Sequence, residues 1–219
     1  MSAALPKTGP PKPAPRPLER KAKTPAELAK IGRAGSAYVE GLIGNKVGSG
    51  SAFCVHKDGL FVTNHHVVDK VQNGVVRIVL NPTTAEQREL GARVVKRDPV
   101  NDLALLQTAE GGFESLDLGD SDALTELQPV VAFGFPFGRE LATEGYPAVT
   151  VNALKISALR RTNGSLWRIQ LDGALNPGTS GCPVLDEYGS VIGVVASGKP
   201  GSGLALAIPV NVVWAFLKK

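Results

Sequence analysis

The sequence predicts an all-β fold built in two similar halves, and three observations carry that prediction. About a dozen short apolar runs, rich in β-branched residues, recur with turn residues between them, the rhythm of a barrel or sandwich. No helix-length pattern alternates with these runs, so a parallel βαβ sheet is excluded. A polar stretch from Glu110 to Glu126 divides them into two comparable sets.

The first 34 residues stand apart. They hold Pro6, Pro10, Pro11, Pro13, Pro15, Pro17 and Pro25, with almost no large apolar residue before Leu28. That composition predicts an extended, solvated linker or tail, rather than a proline-motif ligand or a polybasic anchor. Thr24-Pro25-Ala26-Glu27 reads as a capping box with proline at the first helical position, predicting a short helix over about 25–33. Charge is also concentrated there. Eight basic residues against Glu19 and Glu27 give residues 1–34 a charge of +6, so a net +4 leaves −2 for the remaining 185 residues. The folded part therefore lacks the basic footprint of a nucleic-acid-binding domain.

The folded domain is expected over 35–219, with a first half at about 36–110 and a second at about 125–209. Ser49–Val55 leads through Lys57-Asp58-Gly59 into Leu60–Thr63, and Asp-Gly between apolar runs is a strong hairpin signal. Val75–Leu80, Arg93–Lys96 and Leu103–Gln107 complete the first set of strands. Val130–Phe133, Ala148–Ser157, Leu166–Leu171, Val184–Leu185, Val191–Ala196 and Leu204–Ile208 form the second. The last apolar run, Val210–Leu217, has the length of a closing helix.

Several function classes fall away on composition. Two cysteines are too few for a disulfide framework, and no Cys/His cluster has metal-ligand spacing. No run of about 18 apolar residues exists to span a membrane. The glycine-rich Gly44–Gly50 lacks the Lys-Ser/Thr of a phosphate loop. The start, Met1–Pro6, lacks the apolar core of a secretory signal. Either the protein stays in the cytoplasm or this is a segment of a longer exported chain, extracytoplasmic or periplasmic.

The chemistry concentrates in Leu171-Asp172-Gly173-Ala174-Leu175-Asn176-Pro177-Gly178-Thr179-Ser180-Gly181-Cys182-Pro183-Val184. A serine between two glycines is exposed on a tight turn, where free backbone N–H groups can receive a developing oxyanion. A base is available in Thr63-Asn64-His65-His66-Val67-Val68, where two of the three histidines sit at a strand end. An acid is available in Asp102, which opens Leu103-Ala104-Leu105-Leu106, because a carboxylate placed where a core begins needs a partner. A nucleophile elbow is excluded: Gly178 fits its first glycine, but Cys182 occupies the second, and Pro183-Val184-Leu185 reads as a strand where a helix is required.

Those three stretches, together with Gly48-Ser49-Gly50-Ser51-Ala52-Phe53, Gly119–Leu124, Gly134-Phe135-Pro136-Phe137-Gly138 and Ala207-Ile208-Pro209, resemble the trypsin-like serine peptidases of the HtrA/DegP type over about residues 46–217. The resemblance implies two packed six-stranded antiparallel β-barrels with the active site between them, a short C-terminal helix and no cofactor. It implies His66 as the general base, Asp102 as its orienting acid, Ser180 as the nucleophile, and an oxyanion hole from the N–H groups of Gly178 and Ser180. The primary substrate pocket is implied near Ala174, walled by Ala196, Ser197 and Gly198, without an acidic floor. The expected partners are polypeptides, with a small aliphatic residue before the scissile bond. Chaperone-type members trimerise and carry peptide-binding domains after the peptidase, whereas this chain ends at Lys219.

Two residues depart from the family pattern. Thr179 stands where trypsin relatives have aspartate and HtrA relatives asparagine, which implies activity independent of N-terminal processing. Cys182 stands where glycine is common, and a sulfur there either fits or crowds the serine turn; of a pairing with Cys54 and two buried thiols, two buried thiols are the favoured expectation. These departures motivate the alternative, a catalytically silent peptide-binding or chaperone-like module.

Overall fold

Residues 20–173, 176–199 and 204–218 are described by the computed structural model of the chain. Twelve antiparallel strands among them close into two six-stranded barrels. The first contains β1 (Ser36–Ile43), β2 (Lys46–His56), β3 (Leu60–Thr63), β4 (Val75–Leu80), β5 (Arg88–Asp98) and β6 (Leu103–Thr108), in the order β1-β2-β3-β6-β5-β4. The second contains β7 (Pro129–Gly134), β8 (Thr150–Thr162), β9 (Ser165–Asp172), β10 (Pro183–Leu185), β11 (Val191–Lys199) and β12 (Leu204–Pro209), in the order β10-β11-β12-β9-β8-β7.

The apolar runs without alternation have a simple cause: both faces of those strands are buried. On β3 and β6, Leu60, Val62, Leu103 and Leu105 face a layer shared with Phe133, Leu185, Val191, Ile208 and Trp214. Their alternate neighbours Phe61, Ala104 and Leu106 fill the first barrel with Ala37, Val39, Ala52 and Ile78, as the period of two requires. The second barrel repeats the device. Val184, Ile192 and Val195 point into its own core, while Leu185 and Val194 join the shared layer. Truncating the fully buried Phe133 in that layer to alanine costs about 3–5 kcal/mol, so the two barrels are held as one body.

Three α-helices complete the described fold. In α1 (Pro25–Gly35) the capping box is formed: Thr24 Oγ1 accepts the Glu27 N–H at 3.3 Å, and the Glu27 carboxylate accepts the Thr24 N–H at 2.7 Å. This helix packs on the second barrel. A Cβ at Gly32 would overlap the Phe133 ring, and one at Gly35 would meet Leu116. Ahead of it the Lys23 N–H donates to the Glu187 carbonyl at 2.9 Å, and Arg20 reaches Ser190 Oγ at 3.0 Å. Residues from Arg20 onward are thus tied to the barrel, and the proline-rich stretch 1–19 lies outside the described residues. α2 (His65–Val68) is a single turn after β3. α3 (Val210–Lys218) closes the shared layer, with Trp214 Nε1 donating to the Gly119 carbonyl at 3.1 Å. Among the described residues no helix is long and apolar enough to cross a membrane.

Candidate active site

The end of β3 delivers His66 to the cleft. Asn64 precedes the one-turn α2, and its buried Nδ2 donates to the Asp102 carbonyl at 2.9 Å. Asp102 itself sits at φ +60°, a left-handed conformation that few side chains other than Asn and Asp adopt readily. So placed, its carboxylate holds His66 twice. Oδ1 accepts the His66 backbone N–H at 2.9 Å, and Oδ2 lies 2.8 Å from the ring Nδ1. An ionised carboxylate only accepts, so this contact puts the ring proton on Nδ1 and leaves the Nε2 lone pair free to act as a base. The His66 side chain is 47% exposed. His65 behaves oppositely: its Nδ1 is buried without a partner.

The serine turn is set by two glycines at positive φ, Gly178 at +95° and Gly181 at +87°. Gly181 lies against the first barrel, where a Cβ would overlap the Ser51 carbonyl oxygen and come within 2.6 Å of Thr63 Oγ1. The turn is therefore pressed on the strand end that leads to His66. Gly50 marks the same juxtaposition, since a Cβ there would meet both Val67 of α2, at 2.7 Å, and the Ser180 carbonyl oxygen, at 3.3 Å. Ser180 Oγ donates to the Ala196 carbonyl over a long 3.5 Å. Among the described residues no hydrogen bond joins it to the His66 ring.

Backbone orientation beside the serine follows from the carbonyls. In a trans peptide the N–H points opposite to the C=O. The Pro177 carbonyl accepts the Phe137 N–H at 2.6 Å, and the Thr179 carbonyl accepts the Cys182 N–H at 3.0 Å. The N–H groups of Gly178 and Ser180 hence face the other way, and neither has an acceptor among the described residues. Two such donors beside a hydroxyl can receive a negatively charged oxygen. Phe137 reaches its position at φ +57°, an uncommon conformation for a bulky residue.

Thr179 and Cys182 are both accommodated away from the cleft. Thr179 is buried, and its hydroxyl donates to the Asn176 carbonyl at 2.7 Å. Cys182 is fully buried in the second barrel's core, 3.1 Å from where a Cβ on Gly134 would stand. Burial pushes its thiol up to about 12, and that of Cys54 likewise up to about 12; both are unpaired. Of the pocket residues, Ala196 is buried on β11, and Ser197 and Gly198 pair with Leu206 and Ala205 of β12. Ala174 lies outside the described residues. Asn64, Phe137 and Arg168 carry no motif signal of their own. Burial holds the Arg168 guanidinium below its ordinary value, while the Asp102 charge opposes that shift.

Comparison with known proteins bears on the family and the fold. Residues 50–194 match the trypsin-like peptidase domain. A probable periplasmic serine endoprotease DegP-like of Marinomonas sp. (strain MWYL1) is 36% identical over 176 residues, covering 77% of this chain and 34% of the relative. One of the same description from Chlamydia trachomatis serovar D is 36% identical over 168 residues, covering 73% and 31%. The chain thus spans about a third of the length of these relatives. Among solved structures, the HtrA-type protease AlgW with tripeptide superposes with a TM-score of 0.74 at 28% identity, covering 88% of this chain and 62% of the other. Deg5 gives 0.71 at 28% identity, covering 87% and 90%.

Proposed function

The chain belongs to the trypsin-like serine peptidases of the HtrA type, and from that premise we propose that it is a serine endopeptidase cleaving extended or unfolded polypeptide segments. The observation that carries the reading is the doubly held His66–Asp102 pair beside a serine turn with two unpaired N–H groups. Ser180 turns about its Cα–Cβ bond from the Ala196 carbonyl and attacks the substrate carbonyl carbon. His66 Nε2 takes the hydroxyl proton, and Asp102 stabilises the imidazolium. The carbonyl oxygen becomes an oxyanion received by the Gly178 and Ser180 N–H groups, each worth about 3–4 kcal/mol in the transition state. The imidazolium then protonates the leaving amine, and water repeats the sequence on the acyl-enzyme.

Substrate binding follows from the sheet edge. β10 pairs with β11 only as far as Pro183 opposite Val194, so the backbone at Ser197 and Gly198 has a strand partner only in β12 among the described residues. Its other side suits an extended peptide adding as a strand. Ala196 contributes no charge to the pocket, so a small aliphatic residue is expected before the scissile bond; a peptide library cleaved after Lys or Arg would overturn this. Relatives named as periplasmic support an extracytoplasmic placement. The activity is tested with a fluorophosphonate probe: the wild type labels on Ser180, and labelling is lost in Ser180→Ala. A wild type that neither labels nor cleaves would favour the silent module, although Thr179 and Cys182, which motivate it, are satisfied away from the hydroxyl.

A further inference from the structure

The serine turn rests on two segments of the second barrel, 135–138 and 176–181, and both meet one side chain of the first. Ser51 on β2 is fully buried. Its Oγ accepts the Phe135 N–H at 3.2 Å and donates to the Gly178 carbonyl at 2.8 Å. Its backbone N–H donates to the Ser180 carbonyl at 2.8 Å, and its carbonyl accepts Thr63 Oγ1 at 2.7 Å. A hydroxyl this deeply buried, next to Ala52 and Phe53 in the strand, is costly unless both of its capacities are used, and both are.

We propose that Ser51 is a positioning residue, a hydroxyl latch that fixes the peptide between the two N–H groups offered to the oxyanion. The inference rests on the endopeptidase reading above. Three consecutive peptide planes run from Pro177 to Ser180. The outer two carry the donors, and their carbonyls are held by Phe137 and Cys182. The middle one, Gly178–Thr179, has its N–H held by the Asn176 carbonyl at 3.1 Å within the turn and its carbonyl held by Ser51 Oγ, its tie to the first barrel. Gly178 is the residue with the widest conformational freedom in the turn, so apart from the Thr179 N–H bond to Asn176 the Ser51 hydroxyl is what stops that peptide rotating. Rotation of the middle plane changes ψ of Gly178 and φ of Thr179, and with them the angle between the two donors. The latch therefore acts on oxyanion geometry and leaves the His66–Asp102 pair untouched.

The test compares wild type with Ser51→Ala and Ser51→Cys on a peptide substrate, normalised to sites titrated with a fluorophosphonate. Removing an oxyanion donor outright costs about 10²–10³ in kcat. Misaiming the donors is expected to lower kcat per titrated site roughly tenfold to a hundredfold in Ser51→Ala, with KM within about twofold. The weak thiol donor of Ser51→Cys should fall between. Affinity for a peptidyl trifluoromethyl ketone, which forms a tetrahedral adduct, should drop by a similar factor. The shape of the pH–rate profile should not change, because the latch makes no contact with the base. Unchanged kcat per titrated site, or equal losses in ground-state and tetrahedral ligand affinity, would overturn the latch while the peptidase reading stands. So would failure of both variants to regain a native circular dichroism spectrum, since the hydroxyl would then serve folding. A wild type that is itself inactive removes the reading, and the latch with it.

Discussion

Replacing Gly178 with alanine probes the serine turn at its tightest point. The backbone there has φ +95°, where a Cβ costs about 1–2 kcal/mol. The added methyl would also overlap the Phe135 carbonyl oxygen and come within 3.1 Å of Phe137 N and 3.3 Å of Gly138 N. These are backbone atoms that no rotamer change can move, so overpacking adds about 1–3 kcal/mol. The sum, about 2–5 kcal/mol, corresponds to a melting temperature lower by roughly 5–15 °C for a domain of this size. The same displacement pulls the Gly178 N–H off its aim, so kcat should fall by about 10²–10³. Differential scanning fluorimetry and active-site-titrated peptide hydrolysis read the two effects separately. A Gly178→Ala protein that melts within about 2 °C of wild type and keeps its kcat would refute the close approach and the role drawn from it.

Two further outcomes follow from the same geometry. Asp102→Asn preserves the shape of the His66 contact but offers an amide where the ring needs an acceptor, so kcat should fall by about 10³–10⁴ with KM little changed; a loss below tenfold would separate Asp102 from catalysis. Glu40 accepts from Arg139 Nε and Nη2, each at 2.9 Å, joining the first barrel to the turn at Gly138–Leu141. The Arg139 hydrogen bonds hold the buried Glu40 carboxyl below its ordinary value, against the opposing effect of burial. Its stabilisation is thus present above the ordinary carboxylate range and is lost as pH falls through the lowered value. Thermal melts should show Glu40→Gln less stable than wild type at pH 7, with the gap closing as the pH is lowered to about 2; a gap independent of pH would contradict the ion pair.

How much the sequence reveals depends on the range of each interaction. β3 and β4 have the bounds their apolar runs give, because Asp58-Gly59 and the polar turns on either side end the pairing. β1 is harder to delimit. Gly35 and Ser36 punctuate its start, but its first five residues, Ser36–Glu40, are all buried, so no alternation marks it as a strand. β8 continues to Thr162, past the expected Ser157, because pairing with β9 outlasts the apolar residues. At the site, local motifs offer Ser180, Asp102 and the His65-His66 pair as candidates, and the family resemblance names His66 of the two. They could not assign the Ser51 hydroxyl, whose partners lie 84 and 127 residues away. The packing of Gly32 against Phe133 is likewise invisible to composition, which reads the helix as part of the tail.

The central claim is that a serine, an imidazole and a carboxylate brought from three distant stretches act as one unit. Measuring kcat for Ser180→Ala, His66→Ala and the double variant tests it most directly. Each single change should cost about 10⁵–10⁶-fold, and the double should cost no more than either alone. Losses that multiply, or a His66→Ala enzyme that keeps most of its rate, would mean that the imidazole does not act through the hydroxyl, and the account would be wrong.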